Sequence, residues 1–178
     1  NINSQYRLVH RLDKETSGLL LIAKNLNYAK MLSYLFKQKE ITKYYIALWE
    51  GNPKNNYSQV KLEIKNKKLK IENTLTNYKL LNKNKGISSI LFNPQTGKTH
   101  QLRIVSKNLG CPIVGDQKYN IHSKYSKEKL MLHAIALKFE LNTKKFEFIS
   151  KLPNHFVSFI KKNNLKISKD LKEYLNAF

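Results

Sequence analysis

Two short segments of the chain concentrate the residue types that polar catalysis and anion recognition require. The first is His10-Arg11-Leu12-Asp13-Lys14-Glu15-Thr16-Ser17-Gly18, where charged, polar and small residues stand just before an apolar run. It reads as a loop feeding into the core, and loops held on a rigid scaffold are where chemistry tends to sit. The second is Thr96-Gly97-Lys98-Thr99-His100-Gln101-Leu102-Arg103, which reads as a turn running into a helix. Scarce residues mark both. Of the 33 basic residues only Arg7, Arg11 and Arg103 are arginine, and the aspartates are Asp13, Asp116 and Asp170. In a chain otherwise built on Lys and Glu, this placement points to sites that need a guanidinium fork or the shorter carboxylate. A functional site and a structural salt bridge both satisfy that pattern. His122, His133 and His155 have no metal-ligand spacing, and His133 reads as structural, at the start of a core strand. Cys111 is the only cysteine, so neither an intrachain disulfide nor a cysteine-based zinc site is available.

The elements that must position these residues form a mixed α/β pattern. Gly18 to Ala23 is a short apolar run, expected as a buried strand. Asn25 is placed to cap a helix over 26–38, with Tyr28, Leu32, Leu35 and Phe36 on one side. Ile41 to Glu50, rich in β-branched and aromatic residues, predicts a strand ending at Gly51, followed by a loop from Asn52 to Ser58. Strands are expected over 59–65, 69–81 and 87–93, with Asn82 to Gly86 as a hairpin turn. Thr99 to Leu109 predicts a helix stopped by Gly110. Residues 110–128 read as a loop, and Leu130–Leu141 with Lys145–Ile149 as a strand pair. Pro153 opens a helix to about Lys162, and Ser168 is placed to cap a last one carrying Leu171, Tyr174, Leu175 and Phe178.

The chain has 178 residues, is 41% hydrophobic and carries a formal net charge of +21. One domain over 1–178 is expected. A charge of that size attracts polyanions, although a lysine-rich composition would also produce it on a solvated surface. No apolar run approaches the ~18 residues of a transmembrane helix, no signal peptide is visible, and no basic amphipathic helix favours a membrane. A reducing, cytoplasmic compartment is the default expectation.

At this point a family resemblance becomes specific. HRLDKETSGLLLIAK (10–24) closely resembles the signature of the RluA-type RNA pseudouridine synthases. KYYIAL (43–48), TGKTHQLRI (96–104), GCPIVGDQKY (110–119) and LMLHAIALKF (130–139) resemble that family's later segments, in the same order. The likeness spans residues 8 to about 160. There are departures: Val105 stands where the family often has histidine, Cys111 interrupts its Gly-His-Pro triplet, and Asn142-Thr143-Lys144 replaces a proline-containing turn. The first residue is Asn1, and the family's upstream strand pair has no counterpart. The chain is therefore expected to be a fragment of the catalytic domain, lacking those strands and any S4-type RNA-binding domain.

The resemblance implies a pseudouridine synthase-like α/β domain of the α+β type, with a mixed, largely antiparallel sheet flanked by helices. It implies isomerisation of specific uridines in ribosomal or transfer RNA by a monomer, without metal or cofactor. Asp13 would be the reacting carboxylate, as nucleophile or as base for the 2′ proton. Arg103 would pair with it closely on the floor of a basic cleft and hold its pKa low. Tyr45 would stack on the flipped uracil and help remove the C5 proton. Arg11 would enter the vacated stack. His10, Thr16, Lys98, His100 and Gln101 would contact RNA or support the loops. A non-catalytic basic module that binds or remodels RNA is the alternative. A nuclease would want clustered metal-binding carboxylates or a histidine pair, and neither is evident.

Overall fold

In the computed structural model, residues 5–65, 68–168 and 172–175 are described. The frame is a seven-stranded sheet built on β4 (Thr42–Glu50), β7 (Ile87–Pro94), β6 (Ile71–Asn84), β5 (Tyr57–Lys65) and β8 (Leu132–Leu141). The order is β2-β8-β4-β7-β6-β5, where β2 is Ser17–Gly18. β2 lies parallel to β8, while β9 (Lys144–Ile149) and the other pairings are antiparallel. The mixed, largely antiparallel sheet expected from the sequence is thus present.

β4 is central because its side chains fill both of its faces. Ile46, Ala47, Leu48 and Trp49 are buried, and Trp49 packs against Tyr78 and Phe92 at centroid distances of 5.1 and 5.5 Å. Helix α2 (Gln101–Asn108) closes over this core through Leu102 and Val105. Ser106 locks it there, donating to Leu102 O at 2.7 Å and accepting from Trp49 Nε1 at 2.7 Å. Helix α1 (Leu26–Gln38) is capped by Asn25, whose Oδ1 accepts from Tyr28 N–H at 3.0 Å. It ends where Lys39 turns left-handed. Its buried residues Ala29, Leu32 and Leu35 form a second, smaller cluster with Ile41, Leu137 and Phe139. Each buried Leu contributes about 1.5–3 kcal/mol. Tyr28, expected on that face, is exposed.

Several expectations need correction. Gly18 to Ala23 is not one buried strand. β2 ends at Gly18, and Ile22–Ala23 (β3) pairs instead with Arg7–Leu8 (β1) in a separate two-stranded sheet. Gly18 has φ 116°, and a Cβ there would lie 2.2 Å from Ala134 O, so only glycine permits this approach to β8. The chain then peels away, and the Leu21 N–H donates to His10 Nε2 at 2.7 Å instead of to a strand. Leu20 and Ile22 are left 42% and 40% exposed. Five apolar residues in a row do not reveal such a departure.

The loop after Gly51 is shorter than expected, because β5 begins at Tyr57. The hairpin turn is only Lys85-Gly86, both at positive φ, and β6 continues to Asn84 through an irregularity at Leu81. β6 begins at Ile71, α2 at Gln101 and β8 at Leu132, each two residues later than expected. Pro153 precedes helix α3 (Asn154–Lys162) as expected. The last helix is described over Lys172–Leu175, while Leu171 and Phe178 lie outside the described residues. Ser168 meets it through its backbone, whose N–H donates to the Tyr174 hydroxyl at 2.7 Å.

Candidate active site

A cavity of about 310 Å³ opens between the 10–16 loop, β4 and the 94–102 segment. This is at the small end of ligand pockets. Its wall includes Asp13, Tyr45, Arg11, Thr16, Lys43 and Lys98. Three cations and one carboxylate therefore share it.

The Asp13 loop is closed on itself and tied to the sheet at its C-terminal end. Thr16 N–H donates to Asp13 O at 2.9 Å. Ser17 Oγ lies 2.8 Å from His133 Nδ1, and His133 Nε2 lies 3.2 Å from Ser150 Oγ. Burial first, then the charge of His155, lowers the His133 pKa to about 4, so this histidine is a neutral structural link. His10 stacks on Phe36 at 4.5 Å. Its pKa is lowered to about 4, by burial and then by Lys43. It is neutral at pH 7 and supports the loop through Leu21, without offering a cation to phosphate. Arg11 is exposed and has no ion-pair partner among the described residues. Thr16 Oγ1 is buried in the cavity wall without a hydrogen-bond partner among the described residues, and such groups in native folds call for an explanation.

Tyr45 reaches the cavity because Lys43 and Tyr45 are two apart on β4 and so share a face. The register shift against β8 between Tyr44 and Tyr45 leaves this alternation intact, because the extra residue, Ile135, is on β8. Burial, then the charge of Asp13, pushes the Tyr45 pKa up to about 12. Its hydroxyl is protonated at neutral pH and able to donate a hydrogen bond. Burial, then Lys39, lowers the Lys43 pKa.

Arg103 departs most from expectation. It does not pair with Asp13. Its Nε and Nη2 donate to Asp116 Oδ2 and Oδ1 at 2.8 and 2.7 Å, in a bidentate pair whose side chains are 4% and 0% exposed. Glu15 Oε2 adds a longer contact at 3.7 Å. Burial alone would lower the Arg103 pKa, but the Asp116 bonds override it and raise it. Burial would likewise raise the Asp116 pKa, and the Arg103 bond holds it below the usual carboxylate range. Gly115 permits this geometry, since at φ 76° a Cβ would meet Lys129 O at 2.2 Å. The nearest base to Asp13 among the described residues is His100, with Nε2 3.9 Å from Asp13 Oδ1.

Gln101 has no polar capacity left for RNA. Its Oε1 accepts from Thr96 Oγ1 and Lys98 N–H at 2.8 and 3.0 Å, and its Nε2 donates to Leu75 O and Thr76 Oγ1 at 3.2 and 2.9 Å. These four bonds saturate an amide side chain and shape the 96–101 turn. Lys98 Nζ pairs with Glu72 at 3.1 Å, half-exposed at the rim. Sequence reasoning missed Lys43, although its spacing from Tyr45 signals a common face. It also missed Asp116 as the partner of Arg103, although aspartate is scarce.

Comparison with known proteins follows the same line. A family model described as RNA pseudouridylate synthase matches residues 1–108. Ribosomal large subunit pseudouridine synthase C of Rickettsia prowazekii (strain Madrid E) is 42% identical over 172 residues, covering 86% of this chain and 55% of its own length. Ribosomal large subunit pseudouridine synthase D of Borreliella burgdorferi is 37% identical over 165 residues, covering 86% of this chain and 51% of its own. The chain spans about half the length of these curated relatives. Among solved structures, human RNA Pseudouridylate Synthase Domain Containing 4 superposes with a TM-score of 0.83 at 26% identity, over 92% of this chain and 78% of that one.

Proposed function

This chain belongs to the RNA pseudouridylate synthase family, and on that premise we propose that it isomerises uridine to pseudouridine in RNA, with Asp13 as the reacting carboxylate. The supporting observation is that one small cavity collects Asp13, Tyr45 and the Thr16 hydroxyl, which has no partner among the described residues, with Arg11, Lys43 and Lys98 in the same lining. The reaction breaks the N1–C1′ bond, turns the uracil and joins C5 to C1′. The proton lost at C5 is balanced by one gained at N1, so nothing is oxidised or reduced. A carboxylate beside the ribose serves either as nucleophile or as base for the 2′ proton.

The residues take distinct parts. Tyr45 stacks on the extruded uracil and donates from its protonated hydroxyl. Thr16 Oγ1 supplies a further polar contact inside the cavity. Arg11, exposed at the mouth, fills the gap left by the flipped base. Lys43 and Lys98 neutralise phosphate at the entrance. His10 and Gln101 support the loops. Large-subunit ribosomal RNA is the first substrate to try, because the relatives' names specify it.

Pseudouridine mapping of total RNA from cells with and without the gene tests the reading. Loss of pseudouridine at one or a few positions is expected. Identical maps would remove the assignment.

A further inference from the structure

The carboxylate of Asp116 does more than pair with Arg103. Its Oδ1 also accepts from the Lys118 and Tyr119 N–H groups at 3.0 and 2.9 Å. That fixes the 116–119 turn and with it the Tyr119 ring, which lies 5.2 Å from Arg103 Cζ and edge-on to His100. The Tyr119 hydroxyl is 3.0 Å from His100 Nδ1. His100 Nε2 faces Asp13 Oδ1 at 3.9 Å. His100 itself sits at φ 55°, ψ 20°, directly before α2, and its side chain does not cap the helix. A residue other than glycine adopts that backbone conformation at a cost. Here the conformation goes with an imidazole that contacts the Tyr119 hydroxyl on one side and faces Asp13 on the other.

We propose that Tyr119 and His100 are positioning residues for Asp13: the Tyr119 hydroxyl fixes His100 in its Nε2–H tautomer, and that N–H steers the Asp13 carboxylate when RNA enters. This rests on the reading of Asp13 as the reacting group. The 3.0 Å contact fits either direction of donation; in the proposed arrangement the phenol hydroxyl donates, Nδ1 is bare and the imidazole proton sits on Nε2. The opposite tautomer would aim a lone pair at a carboxylate oxygen. At 3.9 Å the contact is longer than a hydrogen bond, and a shift of about 1 Å on substrate binding closes it. Arg103 is already engaged by Asp116, so it does not fill this place. Burial lowers the His100 pKa; Asp13 and Asp116 oppose this while Arg103 and Lys118 assist it. His100 thus acts as a neutral donor.

Three variants and one spectrum decide the matter. Tyr119→Phe removes only the hydroxyl and keeps the ring under Arg103. His100→Asn suits the left-handed backbone but is too short to reach Asp13. His100→Gln restores an N–H near the Nε2 position. Single-turnover pseudouridine formation is expected to fall about 10- to 100-fold in Tyr119→Phe and His100→Asn, the effect of losing a hydrogen bond to a charged group. RNA affinity should be unchanged, and His100→Gln should recover most of the rate. The ¹⁵N spectrum of the free native protein should show His100 as the Nε2–H tautomer, becoming mixed in Tyr119→Phe. Native rates in both Tyr119→Phe and His100→Asn, equal losses in the Asn and Gln variants, or an Nδ1–H tautomer in the native protein would each overturn the proposal. The tautomer decides even if a variant fails to fold. An active Asp13→Asn would instead overturn the underlying reading. An inactive Asp13→Asn beside fully active Tyr119→Phe and His100→Asn would remove only the role of His100.

Discussion

At the residue scale, the Arg103–Asp116 pair shows how placement sets the consequence of losing a charge. Both side chains are almost out of solvent, and two short bonds join them. Breaking one partner of a buried pair costs about 3–5 kcal/mol, because the other charge stays buried and unpaired. Asp116→Asn should therefore lower the unfolding free energy by roughly that amount at pH 7, measured by urea denaturation. The sign with pH follows from the depressed Asp116 pKa. The pair's contribution is complete above the ordinary carboxylate pKa of about 4 and is lost as pH falls through the lower folded value. The gap between native protein and variant should thus narrow only in strong acid. A gap independent of pH would mean that Asp116 acts through shape and not through charge. Asp13 differs, being partly exposed and without a short ion pair. Its neutralisation leaves Arg103 still held by Asp116, so a variant there tests chemistry with little loss of stability.

At the element scale, β2 matters beyond its two residues. It carries the end of the Asp13 loop and binds it parallel to β8 through Ser17–His133 and Gly18–Ala134. Gly18→Ala would drive a methyl group into the Ala134 backbone from a left-handed conformation. Strain and overpacking together predict a loss of about 2–5 kcal/mol. The loop should also come loose, so activity should fall further than stability at temperatures where the protein remains folded. A thermal melt paired with an activity assay checks both, and an unchanged melting temperature would refute the steric account. Much at this scale was legible in the sequence. Asn25, the β-branched and aromatic run of β4, and Pro153 each announced an element that is present. The Gly18–Ala23 run misled because its apolar residues carry no sign of which sheet they join. The change of sheet depends on the His10–Leu21 bond and on a backbone approach visible only in three dimensions.

At the scale of the whole molecule, part of the basic excess behind the net charge of +21 lies at the site. Arg11, Lys43 and Lys98 meet at the cavity, and Lys39 and Lys61 line a groove of about 540 Å³ that shares Thr96 with it. RNA affinity should be strongly salt-dependent, with log K falling by roughly 0.7 per phosphate neutralised on a single strand. Replacing Lys39 and Lys61 by Ala should reduce that slope, as measured by fluorescence anisotropy across a salt series; an unchanged slope would move the RNA path elsewhere. Motif order made the loop of Asp13, the strand of Tyr45 and the helix of Arg103 legible from the sequence. It did not reveal which carboxylate holds Arg103: the family likeness pointed to Asp13, although Asp116 stands only 13 residues away, and the Gly115 turn that brings Asp116 into bidentate register shows only in three dimensions.

The central claim is that Asp13 performs the chemistry, and one substitution addresses it directly. Asn keeps the size of Asp13 and much of its hydrogen bonding but is neither a nucleophilic carboxylate nor a base. Native protein and Asp13→Asn should be incubated with RNA from cells lacking the gene, and pseudouridine yield, RNA affinity and unfolding free energy measured on both. Asp13→Asn should yield no detectable pseudouridine, bind RNA as well as or slightly better than native because a negative charge facing phosphate is gone, and change stability by no more than about 1 kcal/mol, as expected for a partly exposed charge. Pseudouridine formation by Asp13→Asn at a rate close to that of the native protein would contradict the claim.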